Sequence, residues 1–370
     1  MPGLRRGKSL GLCPAKCHLW ATGGLRSVEP AALQSEPWGP MRQFLFMLAT
    51  LLAFANTGFA QCQGENLIAK MSPEAQAALR AEAAKSPYAV GNYWQATRND
   101  VVINLIGTYH FDDPRHAATL TSLAPVLASA QVLLVEAGPK EEESLKARIA
   151  DDPALIVNTD GPTLPEIMAE ADWKRLSAAT TARGVPGFMA AKFRPWYVSM
   201  LLSMPACTIT ASATPNGLDA QLITAAKAEG VPVQALEPYD TVFDIFDAMT
   251  QAEQLDMITS ALALEDKSAD LAITLADSYF AQESRLIWEF NRLQALAMPG
   301  YTPERVQQEF ATMEQSMIIA RNRAWIPVIE TVAARGPVLV AFGALHLSGE
   351  DGVLNLLAKN GYSITRLPLP

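Results

Sequence analysis

Two of the four histidines in this 370-residue chain sit in the same short pattern. Gly107-Thr108-Tyr109-His110 and Gly343-Ala344-Leu345-His346 each read glycine, two residues, histidine, and each closes an apolar run, residues 101–106 and 338–342. Two further apolar runs, 131–135 and 231–236, end on carboxylates, Glu136 and Glu237. Imidazole and carboxylate together suit Zn, Mn, Co or Fe, and an ion with an open position brings a bound water's pKa toward neutrality. A carboxylate that is not a ligand can then take the proton. Each residue also has a plainer reading: a histidine after glycine can be structural, and Glu136 or Glu237 can serve a helix N-terminus or a turn. Repetition of the pattern in equivalent settings favours a site made of His110, His346 and Glu136, with Glu237 as a further ligand or the base.

These residues need a scaffold that brings four distant strand ends together. The four runs are short, rich in Val, Leu and Ile, and separated by helical or irregular sequence, as buried strands of a largely parallel sheet are. In such sheets ligands bind in the crevice beyond the carboxyl ends of the strands, where all four residues fall. The fold class is therefore α/β: a largely parallel central sheet flanked by helices. Helices are expected at 72–85 with Ser72 as cap, at 117–129, 219–228 and 352–359, and a last strand at 363–367. Residues 151–205 read as mostly helical, and residues 241–334 as a large helical insertion or lid without a strand. Trp196 and the methionines Met200 and Met204 read as core. With no repeat and no low-complexity linker, residues 61–370 form a single composite domain.

The N-terminal end reads differently. Met41-Arg42-Gln43, an apolar stretch over 44–55 and Gly58-Phe59-Ala60 have the three parts of a secretory signal, so cleavage is expected before Gln61. Residues 1–40, which precede that methionine, read as a leader from an upstream start, with a long n-region as the other reading. Export would make Cys62 and Cys207 a disulfide pair. It also puts the chain in the periplasm or outside the cell, without stable membrane insertion once the signal is removed, because no other stretch approaches the roughly 20 apolar residues a span needs. Residues 1–60 hold six Lys/Arg and two Asp/Glu, leaving 23 against 36 in the rest and a net charge of −13 there. That sign argues against nucleic acid and anionic membranes as partners.

Taken in order, residues 104–110, 133–136, 192–196 (Lys-Phe-Arg-Pro-Trp), Gly217-Leu218-Asp219, Leu236-Glu237, Arg321-Asn322 with Trp325, 343–349 and Gly361-Tyr362 resemble the TraB/GumN family, over about residues 62–367. That family is similar to the Tiki metalloproteases and, more distantly, to erythromycin-esterase-like and haem-binding ChaN-like proteins. The resemblance implies a divalent metal, Mn or Co from the Tiki branch, held by His110 and His346, with Glu136 as ligand or base. It makes Arg321 and Asn322 candidates for holding an oxyanion or a substrate carboxylate through a planar fork. The alternative for Arg321 is a structural stack on Trp325, four residues on. His116, in the loop after Asp112 and Asp113, is not picked out. Two functions remain open on these residues: an exported metal-dependent hydrolase, peptidase-like, acting on a peptide or small molecule, and a non-catalytic binding protein for haem, metal or peptide. Carboxylates beside the histidines favour the first, since a haem pocket has an apolar wall and a lone axial ligand.

Overall fold

The computed structural model describes residues 62–209, 216–298 and 300–369; the expected leader and signal, residues 1–60, lie outside them. Six strands, β1 Tyr93–Arg98, β2 Val101–Thr108, β3 Val132–Val135, β4 Val233–Ala235, β5 Val338–Gly343 and β6 Ser363–Arg366, form one sheet in the order β4-β3-β5-β2-β1-β6. The four strands from β4 to β2 are parallel, whereas β1 is antiparallel to both β2 and β6. All six residues of β5 are buried, which is why it reads as an unbroken apolar run. The register makes the strand ends level: Thr108 lies opposite Gly343, and Val135 opposite both Ala341 and Ala235.

The alternation of side chains along β2, β3 and β5 supplies two cores. On one face Ile103, Leu105, Leu134, Val340 and Phe342 pack against Trp325, Ile329 and Val332 of the helix Ala320–Ala333 and against Leu354 and Leu357 of the helix Val353–Lys359. On the other, Ile106, Leu133, Val135 and Leu339 meet Leu123 and Leu127 of the helix His116–Ser129, Leu218 and Leu222 of the helix Leu218–Glu229, and Tyr279 of the helix Ser268–Phe280. The sheet is thus covered on both sides, as a largely parallel sheet must be.

Three expectations are refined. Strand β1 is absent from the apolar-run reading because Tyr-Trp-Gln-Ala-Thr-Arg mixes polar and aromatic residues. It forms because Tyr93, Trp94 and Ala96 are buried and because Asn99, at φ 52°, turns the chain into β2. The described residues of the stretch 241–334 form a series of helices without a strand, and the last helix is a layer of the sheet rather than a lid. Trp196 is core, stacked on Phe246, whereas Met200 is 40 % exposed, so the core reading of Met200 is corrected.

Cys62 and Cys207 form a disulfide across 145 residues. The segment that follows Cys62 runs along the helix Ser268–Phe280: Glu65 N–H donates to Asp270 Oδ1 (2.7 Å) and Leu67 N–H to Thr274 Oγ1 (2.9 Å). Among the described residues no helix is long and apolar enough to cross a membrane.

Candidate functional site

The level ends of β2, β3, β4 and β5 present His110, Glu136, Glu237 and His346 at one edge of the sheet. Gly343, the last residue of β5, lies between three of them. A Cβ built on Gly343 would stand 3.2 Å from Glu136 Oε1, 3.2 Å from His110 Nε2 and 3.7 Å from His346 Cδ2. Its backbone φ is −50°, so glycine is there for space and not for a left-handed turn. Its N–H donates to Glu136 Oε1 at 2.6 Å and orients that carboxylate.

Both imidazoles are held by their Nδ1 atoms. Asn322 Oδ1 is 2.6 Å from His346 Nδ1 and, as an acceptor only, fixes the proton there, leaving Nε2 bare. The Asn322 amide also donates to the His346 carbonyl (3.3 Å) and the Asp351 carbonyl (2.8 Å). Trp325 completes the seat, its ring centroid 4.5 Å from that of His346. His110 Nδ1 is 3.1 Å from Asp219 Oδ1, so its Nε2 is likewise the nitrogen left for the site.

Arg321 lies among the carboxylates. Its Nη2 donates to Glu136 Oε2 (2.6 Å) and Glu237 Oε1 (2.7 Å), its Nε to Glu237 Oε2 (2.9 Å), and its Nη1 to the Met317 carbonyl (3.2 Å), with His346 Nε2 3.2 Å away. Trp325 Nε1–H donates to Glu237 Oε2 at 3.0 Å while the guanidinium sits 4.9 Å above the Trp325 ring, so the stack and the site are one structure. A π-helical turn, Gln315–Ile319, immediately precedes the helix that carries Arg321, Asn322 and Trp325; such turns recur at functional sites.

Charge follows from these contacts. Burial opposes ionisation of Glu136, but the positive charge beside it, fixed on Arg321, and the Gly343 N–H outweigh it and hold the carboxyl well below the usual carboxylate range. His346 is pushed down to about 3 by burial, with Arg321 and His110 adding to the effect against Glu136. It is therefore neutral at pH 7, and the fixed cation beside Glu136 is Arg321. For His110, burial lowers the pKa, but the Asp219 hydrogen bond and charge, with Glu136, raise it to about 9. Its side chain is 56 % exposed, so solvent screens this charge and a ligand role requires that the proton leave.

The sequence-expected residues thus gather as follows. His110, Glu136 and His346 surround Gly343, Glu237 reaches the group through Arg321, and among the described residues no three His, Cys, Asp or Glu side chains stand ready in ligand geometry. His346 Nε2 is 4.0 Å from Glu136 Oε1. Asn322 is fully buried with its amide engaged in the His346 turn, so it sets His346 and does not reach a substrate group. Arg321 has its fork filled by two carboxylates rather than held open for a substrate. Asp219 received no role in the sequence reading, although Gly217-Leu218-Asp219 was among the motifs; the signal available was a carboxylate in the first turn of a helix, which does not say what it faces.

His116 is a core residue. It is fully buried among Tyr109, Tyr279 and Phe280, with Nε2 3.0 Å from the Phe111 carbonyl. Burial lowers its pKa, against the Phe111 carbonyl and Asp113. The unfolded chain takes up a proton near the ordinary value of about 6.5 while the folded chain resists it, so stability present above that value is lost as the pH falls below it. We expect His116→Phe to unfold in denaturant with a flatter stability profile than the parent between about pH 7 and 5. Equal slopes would show that His116 does not contribute.

The mouth beyond the carboxyl ends of parallel strands is where open α/β sheets bind ligands, and the fold alone does not fix the reaction. The TraB/PrgY/gumN family matches residues 92–366, and the chain belongs to that family. It is 24 % identical over 275 residues to the uncharacterized protein YbaP of Escherichia coli (strain K12), an alignment covering 72 % of this chain and 94 % of that one. It is also 25 % identical over 190 residues to a metalloprotease TIKI homolog of Amphimedon queenslandica, covering 48 % of this chain and 37 % of that protein.

Proposed function

We propose that this protein is an exported metal-dependent hydrolase, peptidase-like, whose divalent ion (Mn, Co or Zn) is held by His110, His346 and Glu136. The observation that carries the reading is the arrangement around Gly343, where His110 Nε2, a Glu136 carboxylate oxygen and the edge of the His346 ring come together, with His346 Nε2 4.0 Å from Glu136 Oε1, while both Nδ1 atoms are tied to side-chain oxygens. Metal-binding histidines have their second nitrogen engaged in this way, which fixes tautomer and ring direction. The donor set suits a borderline ion, and the position already attracts positive charge, since the Arg321 guanidinium lies against Glu136, Glu237 and His346. Bound there, the ion would supply a water acidic enough to be a nucleophile near neutral pH.

The chain's own residues have definable parts. Glu136, anionic and fixed by Gly343 N–H, supplies negative charge without reorganisation. Glu237 holds Arg321 by two bonds and receives the Trp325 N–H, so its first part is to position Arg321; a proton-accepting part requires that pairing to loosen. Arg321, its fork taken up by Glu136 and Glu237, supplies the fixed positive charge that offsets the two carboxylates beside His346. The similarity to a metalloprotease homologue supports hydrolysis of a peptide or small amide, and the disulfide supports a periplasmic or extracellular location, where such bonds persist.

Metal analysis of protein purified from the periplasm tests the reading. The parent should carry about one Mn, Co or Zn per chain, and His110→Ala and His346→Ala should each lose most of it while remaining folded. Metal content equal in all three proteins would reject the site. Stoichiometric metal without turnover of any peptide or amide substrate would leave the non-catalytic binding function instead.

A further inference from the structure

His110 differs from His346 in how little packing holds it. The His346 side chain is 5 % exposed and is wedged against Trp325 with Asn322 behind it. The His110 side chain is 56 % exposed and lies two residues beyond the end of β2. A ring more than half exposed has less packing to select one rotamer than His346 has, so a polar partner is needed to aim its Nε2 at Gly343.

We propose that Gly217-Leu218-Asp219 is the device that aims His110, with Asp219 as its positioning residue. Three contacts from this tripeptide reach the same short segment. Leu218 N–H donates to the Tyr109 carbonyl at 3.0 Å. A Cβ on Gly217 would collide with the backbone of His110, so the helix Leu218–Glu229 can start against that backbone only with glycine there. Gly217 has φ −69°, which any residue adopts, so close approach alone explains it. Asp219, one residue into the helix, then stands 3.1 Å from His110 Nδ1. The backbone bond and the missing side chain set the distance between helix and loop, and the carboxylate uses that distance to hold the ring.

The arrangement also explains why two histidines in matching sequence patterns have different partners. His346 is held from its own side of the sheet by a neutral amide, and His110 from across the opposite core by a carboxylate. An anionic partner strengthens its imidazole as a donor to a cation, which a neutral amide does less. This assignment rests on the metal reading above for its consequence, and on the hydrogen bond alone for its geometry.

Two measurements on the full-length mature protein separate these. In the metal-free parent, NMR of the ring-nitrogen protons should show a hydrogen-bonded Nδ1–H signal that His110→Ala removes. The signal should disappear in Asp219→Ala and persist in Asp219→Asn, whose amide oxygen can still accept. With Co²⁺ as the probe, Asp219→Ala and Gly217→Ala should weaken binding by roughly 10–100-fold, and Asp219→Asn by less. The thermal midpoints of Asp219→Ala and Asp219→Asn should remain near that of the parent while that of Gly217→Ala falls, because its methyl would meet the His110 backbone, and the absorption spectrum of bound Co²⁺ should change in Asp219→Ala. An Asp219→Ala protein that keeps the His110 Nδ1–H signal overturns the positioning role whatever the metal result. If the signal behaves as expected but neither the parent nor any variant binds Co²⁺, the metal reading fails and the positioning role stands. If the parent binds Co²⁺ and Asp219→Ala binds it equally well, the role in tuning the ligand is overturned.

Discussion

Replacing Arg321 by methionine should destabilise the metal-free protein by about 3–5 kcal/mol, the range for breaking a buried ion pair by removing one partner. Glu136, Glu237 and Arg321 have side chains that are 19 %, 13 % and 14 % exposed, so solvent cannot take over the lost charge. Glu136 would keep the Gly343 N–H and Glu237 the Trp325 N–H, but no fixed cation would remain between two carboxylates. Arg321→Lys should recover only part of the loss, because an ammonium cannot present Nε and Nη2 to one carboxylate while reaching a second. Arg321→Met combined with Glu136→Gln and Glu237→Gln should regain most of the stability, since the desolvated charges go together. Denaturant unfolding of the four proteins checks this. A loss below about 1 kcal/mol for Arg321→Met would place the cluster with ordinary surface pairs.

That experiment probes a feature that no local pattern in the sequence contains. The strand ends were legible because β2, β3 and β5 are buried on both sides and so read as apolar runs, and because a parallel sheet puts the residues after such runs at one edge. His110, Glu136, Glu237 and His346 could therefore be assembled from spacing alone. The partners could not. Arg321 meets Glu136 across 185 residues and Asp219 meets His110 across 109, and nothing within a few positions of either signals the other. Asn322 illustrates the same limit: next to an arginine it suggested a second polar group facing a substrate, but its helix turns it inward beneath His346. Strand β1 was hidden for a different reason. An edge-side antiparallel strand with one polar residue in two carries a weak apolar signal, and only its Asn99 turn and buried Trp94 mark it.

Gly343 links the legible part of the site to the hidden part, and Gly343→Ala should weaken binding of an ion among His110, Glu136 and His346 while leaving the fold intact. The backbone at φ −50° accepts alanine without strain, and the strand behind it is held by both neighbours. The added methyl would stand 3.2 Å from both Glu136 Oε1 and His110 Nε2, closer than carbon normally approaches either. Glu136 is restrained by Arg321 and by the Gly343 N–H itself, and His346 by Asn322 and Trp325. His110, more exposed, is the group free to swing away, and with it goes one of the three converging donors. A ligand turned away from its place costs affinity on the order of 10–100-fold, as loss of its orienting partners does. Gly107→Ala provides the contrast, because a Cβ there would press on Ala344 and Leu347 in the core and should lower stability instead. Co²⁺ titration and thermal unfolding of the two variants decide the matter. A Gly343→Ala protein that binds Co²⁺ as the parent does would show that the ion does not sit among His110, Glu136 and His346.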